Sequence, residues 1–125
     1  MGRRAGLGGL MRRGDVRWYK FPRPDKRRPV LILTRTSALE YLGEVTVAPI
    51  TSTIREIPSE VVLTPEDGMP KECAVNLDHL QTVSKGRIGP LITSLSSQKM
   101  AELRRALLFA LGFAINGDSS PIPGR

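Results

Sequence analysis

Apolar residues recur along this chain in short bursts, each bounded by turn-forming residues. From Asp15 to Phe21 polar and apolar positions alternate, with Val16 and Trp18 on one side, the pattern of a half-buried strand. Pro22-Arg-Pro-Asp25 is turn chemistry. Pro29 to Thr34 is a continuous apolar run of strand length, which predicts a central strand buried on both faces. Thr36 to Leu42 predicts one helical turn or an irregular loop, and Gly43-Glu44 leads into a third strand, Val45 to Ile50. A further strand is expected over Ile57 to Leu63, where Pro58 marks a strand start or an edge. Thr64-Pro-Glu-Asp-Gly68 is a turn. Cys73 to Leu80 reads as the next strand, followed by Gln81 to Ser84, a turn at Lys85-Gly86 and a short last strand from Ile88 to Leu91.

One segment has helical spacing. Met100, Leu103, Leu107, Ala110 and Leu111 recur on one face between an N-capping Ser96 and a terminating Gly112, which predicts a helix over 97–111 with those five residues facing the core. Many short strands and one late helix argue for a small, strongly curved antiparallel barrel. The chain has 125 residues and neither an internal repeat nor a linker, so one domain is expected over residues 11–115. Residues 1–10 read as a flexible Gly/Arg-rich extension, since Met11 could itself be a natural start, and residues 116–125 as a flexible tail.

Charge changes this picture more than composition does. Residues 1–35 carry eleven Lys/Arg and two Asp, a net of +9, whereas residues 36–125 carry eight Lys/Arg and ten acids, a net of −2. Cations gathered near the first hairpin favour an anionic partner such as nucleic acid or an acidic peptide. No apolar stretch is long enough to span a bilayer and the first residues lack the apolar core of a secretory signal, so a cytoplasmic protein without membrane contact is expected. The single cysteine, Cys73, is expected to be a small buried side chain. With one histidine, His79, the chain offers no Cys/His cluster for zinc, and neither a metal nor a cofactor is expected.

Five segments in order resemble the PemK/MazF-type toxins of bacterial toxin–antitoxin pairs: Met11-Arg-Arg-Gly-Asp-Val, Arg28-Pro-Val-Leu-Ile-Leu, Val47-Ala-Pro-Ile-Thr-Ser, Pro65-Glu-Asp-Gly-Met-Pro and Leu77-Asp-His-Leu-Gln-Thr-Val. Each segment alone is weak, but the ordered set is specific and covers about residues 11–113. The resemblance implies an SH3-like barrel with a C-terminal helix, usually a homodimer. It implies a sequence-specific, metal-independent endoribonuclease that cuts single-stranded RNA to a 2′,3′-cyclic phosphate and a 5′-hydroxyl. A cognate antitoxin would neutralise it by placing a peptide in the RNA site.

The resemblance assigns Arg28 and Thr51 as catalytic. A guanidinium can hold phosphate through two donors and suits the charge that builds on the non-bridging oxygens, whereas it is an awkward base because it stays protonated near neutrality. The Thr51 hydroxyl would donate to a phosphate oxygen. Arg23, Lys26 and Arg27 are expected to steer the RNA backbone, and Ser52 and His79 to contact RNA, with Thr53 a weaker candidate. Trp18 could stack on a base, but its alternation with Val16 favours core packing. Two departures stand out. Many relatives carry glutamine where this chain has His79, and the first loop here, Phe21-Pro-Arg-Pro-Asp-Lys-Arg27, is short, stiffened by proline and without the Gly-Ser-Glu/Gln of relatives, which should alter sequence preference. Two non-enzymatic alternatives use the same fold or the same charge: a poison of DNA gyrase like the CcdB-type toxins, and a catalytically silent RNA-binding module.

Overall fold

The computed structural model describes residues 10–22 and 26–113. Among these residues the elements run β1 (Asp15–Lys20), β2 (Arg27–Ile32), α1 (Thr36–Leu39), β3 (Glu44–Thr51), β4 (Glu60–Leu63), β5 (Cys73–Asn76), β6 (Gln81–Ser84), β7 (Ile88–Ser94) and α2 (Ser97–Leu111). Every strand pairing is antiparallel. The strand order is β4-β5-β3-β2-β1-β7, with β6 also pairing to β3. The sheet curls into a half-barrel, and α2 packs across one of its faces. The extension expected at 1–10 and the tail expected at 116–125 lie outside the described residues, Leu10 excepted.

β3 organises the sheet. Along one edge it pairs with β2 through Val30↔Pro49, Leu31↔Ala48 and Ile32↔Val47. Its other edge is divided: Glu44 to Val47 pair with β6, and Ile50 and Thr51 pair with β5. The side-chain alternation of β2 serves two cores, as the unbroken apolar run requires. Leu31 faces a first cluster with Val16, Ala48, Ile50, Leu63, Val75 and Leu103, whereas Val30 and Ile32 face a second with Tyr19, Leu39, Val45, Val47 and Val83.

The late helix has the expected bounds, Ser97–Leu111. The Ser96 hydroxyl accepts from the Lys99 backbone N–H, and Gly112 ends the helix in a left-handed conformation. Leu103 is buried, and Met100, Leu107 and Ala110 pack against the first cluster. Leu111 does not: it is 52% exposed, because the packed stripe runs through Leu103, Ala106, Leu107 and Ala110 and leaves it on the flank.

Three strand expectations are corrected. The segment before β4 is extended only from Glu60, because Ile57 to Ser59 turn, with the Glu60 N–H donating to the Ile57 carbonyl, and Glu56 sits at φ +56°. The single strand expected over Cys73 to Leu80 stops at Asn76. There the Asn76 side-chain oxygen accepts from the Asp78 N–H, an Asx turn that swings the chain from β5 to β6. The last strand is longer than expected and reaches Ser94, because irregularities in its register let it follow β1 from Tyr19 to Asp15.

The turn at Thr64–Gly68 behaves as its sequence predicts, and it closes tightly on β7. Gly68 has φ +98°, and a Cβ there would approach the Thr93 Cβ to 2.7 Å. The Thr93 hydroxyl donates to the Asp67 carbonyl at 3.0 Å. Gly68→Ala should therefore destabilise by about 2–4 kcal/mol, adding left-handed strain to overpacking. Urea denaturation with an unchanged slope reads this directly, and a loss below about 0.5 kcal/mol would mean that the loop relaxes freely.

Candidate functional site

Every β2–β3 pair sums to the same number (30 and 49, 31 and 48, 32 and 47), so continuing the register by two residues sets Arg28 opposite Thr51. Alternation places both on the sheet face that carries Val30 and Val47. The guanidinium and the hydroxyl thus come from the second residue of β2, at its exposed start, and the last residue of β3. Burial of Val30, Leu31 and Ile32 behind Arg28 fixes its backbone.

This end of the hairpin separates two clefts. One, of about 320 Å³, is lined by Trp18, Arg27, Arg28, Ile50, Thr51, Ser52, Met69 and Lys71 among others. The other, of about 360 Å³, is lined by Phe21, Arg28, Thr51, Arg55, Asn76, His79 and Gln81 among others. Arg28, Ile50 and Thr51 belong to both, so a chain laid across the two clefts passes over the Arg28–Thr51 ridge at its middle.

Local bonds define what each group can offer. The Thr51 Oγ1 accepts from the Thr53 N–H at 3.1 Å, which fixes the hydroxyl oxygen and leaves its proton to be donated. The guanidinium of Arg27 lies 4.6 Å from the Trp18 ring centroid. Trp18 is half-buried as a wall of the first cleft and not the core residue its alternation with Val16 predicted: β1 bends away at its irregular pairing with β7 before Trp18 reaches the first cluster. In the second cleft the Asn76 amide nitrogen donates to His79 Nδ1 at 2.7 Å. The orientation of that amide follows from its oxygen accepting the Asp78 N–H at 2.9 Å. Nδ1 must then be an acceptor, so the other ring nitrogen carries the proton.

The structure therefore brings together Arg27, Arg28, Thr51 and Ser52 around the first cleft, and Arg28, Thr51 and His79 around the second. Lys26 is exposed beside the hairpin and lines neither cleft, and Thr53 contributes its backbone N–H to the turn. Arg23 lies outside the described residues. Cys73 is buried beneath the first cleft, and burial raises its thiol above the ordinary range, which keeps it protonated and unreactive. Among the described residues no group of three or more His, Cys, Asp or Glu is placed to hold a metal. No helix among them is long and apolar enough to cross a membrane.

Sequence reasoning passed over Lys71 and Arg55. Lys71 follows a turn whose sequence suggested only chain reversal, and Arg55 falls between the strands expected over Val45 to Ile50 and Ile57 to Leu63. Its one visible signal is the alternation of charge in Arg55-Glu56 and Glu60 around Pro58.

Residues 12–111 match the family described as PemK-like, MazF-like toxin of type II toxin-antitoxin system. The probable endoribonuclease MazF5 of Mycobacterium tuberculosis is 40% identical over 109 residues, covering 86% of this chain and 94% of that protein. Among solved structures, the M. tuberculosis toxin MazF-mt6 superposes with a TM-score of 0.74 at 33% identity, covering 80% of this chain and 98% of that one. An endoribonuclease in complex with its cognate antitoxin, from a mycobacterial species, gives a TM-score of 0.74 at 26% identity, covering 83% of this chain and 97% of that one.

Proposed function

We propose, because this chain belongs to the family of PemK-like, MazF-like toxins of type II toxin–antitoxin systems, that it is an endoribonuclease toxin cutting single-stranded RNA at the ridge between its two clefts. The observation that carries the reading is that Arg28 and Thr51 both lie on a wall common to the two clefts.

The RNA 2′-hydroxyl attacks the adjacent phosphorus. The bond from O2′ to phosphorus forms as the 2′-hydroxyl proton passes to water, the bond from phosphorus to O5′ breaks as O5′ takes a proton back from water beside the Arg28 edge, and the products are a 2′,3′-cyclic phosphate and a 5′-hydroxyl. Arg28 stabilises the charge that grows on the non-bridging oxygens and supplies a proton-rich edge to the leaving oxygen. Thr51 donates its hydroxyl proton to a phosphate oxygen and holds the scissile group in line. His79, whose Nδ1 is engaged by Asn76, serves as a donor to RNA through its other ring nitrogen rather than as a base. Arg27 and Ser52 contact the strand in the first cleft, while Lys26 and Arg23 steer it electrostatically. None of these steps uses a metal or a cofactor. The reading includes a homodimer in the cytoplasm and a cognate antitoxin that silences the toxin by occupying the same clefts. Neither a gyrase poison nor a silent RNA binder needs a paired guanidinium and hydroxyl.

A mixed single-stranded RNA pool incubated with the protein in EDTA, followed by sequencing of new 5′-hydroxyl ends, tests this. Wild-type protein should cut at one short motif. Thr51→Ala should slow cutting roughly 10- to 100-fold, and Thr51→Ser, which keeps the donor, should stay within about 5-fold. Absence of cuts from folded, antitoxin-free protein would overturn the reading.

A further inference from the structure

We infer that Arg55 is a second phosphate clamp of this RNA site, set in place by the buried carboxylate of Glu60; the inference rests on the ribonuclease reading above. Arg55 reaches the second cleft from the loop between β3 and β4, facing Arg28, Thr51 and His79. Its placement is enforced at two points. The Arg55 backbone N–H donates to Glu60 Oε1 at 3.0 Å, and its Nε donates to Oε2 at 3.1 Å. The Glu60 side chain is 1% exposed whereas that of Arg55 is 50% exposed.

A carboxylate that deeply buried is retained only where its bonds are made, so Glu60 costs stability unless it shapes something. What it shapes is the loop and the direction of one guanidinium. With Nε engaged, the two terminal nitrogens form the outward edge of a planar fork, whose geometry matches two oxygens of one phosphate. The second cleft has two guanidinium groups and no carboxylate in its lining, so an anion enters it without repulsion from the wall. Arg28 serves the scissile phosphate on the ridge, and Arg55 across the cleft is placed for a phosphate further along the strand. A phosphate contact fixes register and carries no base information.

Removing Arg55 should therefore weaken binding equally for all sequences. Arg55→Ala alone would leave the Glu60 carboxylate buried without its partner, so the deciding variant is Arg55→Ala/Glu60→Gln, which removes both charges, with thermal melts confirming the fold. Binding is read with a labelled random-sequence 2′-O-methyl RNA pool, which cannot be cut, over a range of KCl concentrations. The expected result is a Kd raised roughly 10- to 100-fold and a salt slope shallower by about 0.7, the value for one phosphate on a single strand. The motif of cutting should be unchanged, with KM raised and kcat within about 3-fold. Arg55→Lys, which keeps the charge without the fork, should restore the slope more than the affinity. Glu60→Gln alone leaves one acceptor oxygen for the two Arg55 donors and should raise KM without altering the motif.

An unchanged slope with Kd within about 2-fold overturns the inference. A changed motif at constant slope overturns it in favour of base reading, and a loss confined to antitoxin affinity does so in favour of a peptide contact. Wild-type protein that binds the pool without cutting RNA sinks the ribonuclease reading, while the Kd and slope of the double variant still decide Arg55. Protein that neither binds nor cuts sinks both.

Discussion

Arg28→Ala should lower the single-turnover rate of RNA cutting roughly 100- to 1000-fold while leaving the melting temperature close to wild type. The first half follows from the chemistry. Charge on the phosphorus oxygens rises only as O2′ closes on phosphorus, so a donor fixed at that point stabilises the transition state more than the bound substrate, and loss of such a donor has an effect of this size. The second half follows from burial. Arg28 is exposed at the start of β2, ahead of the three buried residues that anchor the strand, so the alanine variant keeps the hairpin. Arg28→Lys is the informative companion. An ammonium supplies charge without the planar pair of donors, and the rate should recover only in part. Equal loss of rate and of melting temperature would assign Arg28 a structural role and remove it from the reaction.

Leu103→Ala should destabilise the fold by about 2–5 kcal/mol, the range for emptying a fully buried leucine site. Leu103 is 1% exposed and lies in the first cluster with Val16, Leu31, Val75, Met69 and Cys73. Those last two also form part of the floor of the first cleft, so the cavity opens beneath the site. The melting temperature should fall by roughly 10–20 °C, given the usual sensitivity of a domain of this size. Leu111→Ala provides the contrast on the same helix. Its side chain is half-exposed, and the change should stay within about 0.5 kcal/mol. Scanning calorimetry separates the two, and similar shifts for both would mean that α2 packs on the sheet through a different face.

The sequence made legible what depends on neighbours along the chain. Ser96 and Gly112 mark the ends of α2 because capping is a local bond, and the run from Pro29 to Thr34 announces two-sided burial because no polar residue interrupts it. Leu111 falls at the edge of the helical stripe, and period alone does not say how wide a stripe the sheet covers. The break at Asn76 was hidden because its cause is a side chain turning back on the Asp78 N–H, while the apolar pattern on both sides remains strand-like. For the site, the resemblance pointed to Arg28 and Thr51, whereas their shared wall emerges only from register. Trp18 shows the opposite failure. Alternation placed it with Val16, but irregular pairing between β1 and β7 moves it to the cleft. Arg55 could not be found by spacing at all, because its position depends on a buried carboxylate five residues later.

The packing of α2 also has a consequence for the timing of toxicity. A ribosome delivers residues in chain order, and β2, β3 and β5, which carry the Arg28–Thr51 ridge and its walls, emerge before β7 and α2. The nascent chain thus displays both strands of the site while β1 still lacks its second partner and the first cluster lies open to water. Until the helix is made the first cluster lacks Leu103 and Ala106, so a chain stalled before residue 97 carries the ridge without part of the core beneath it.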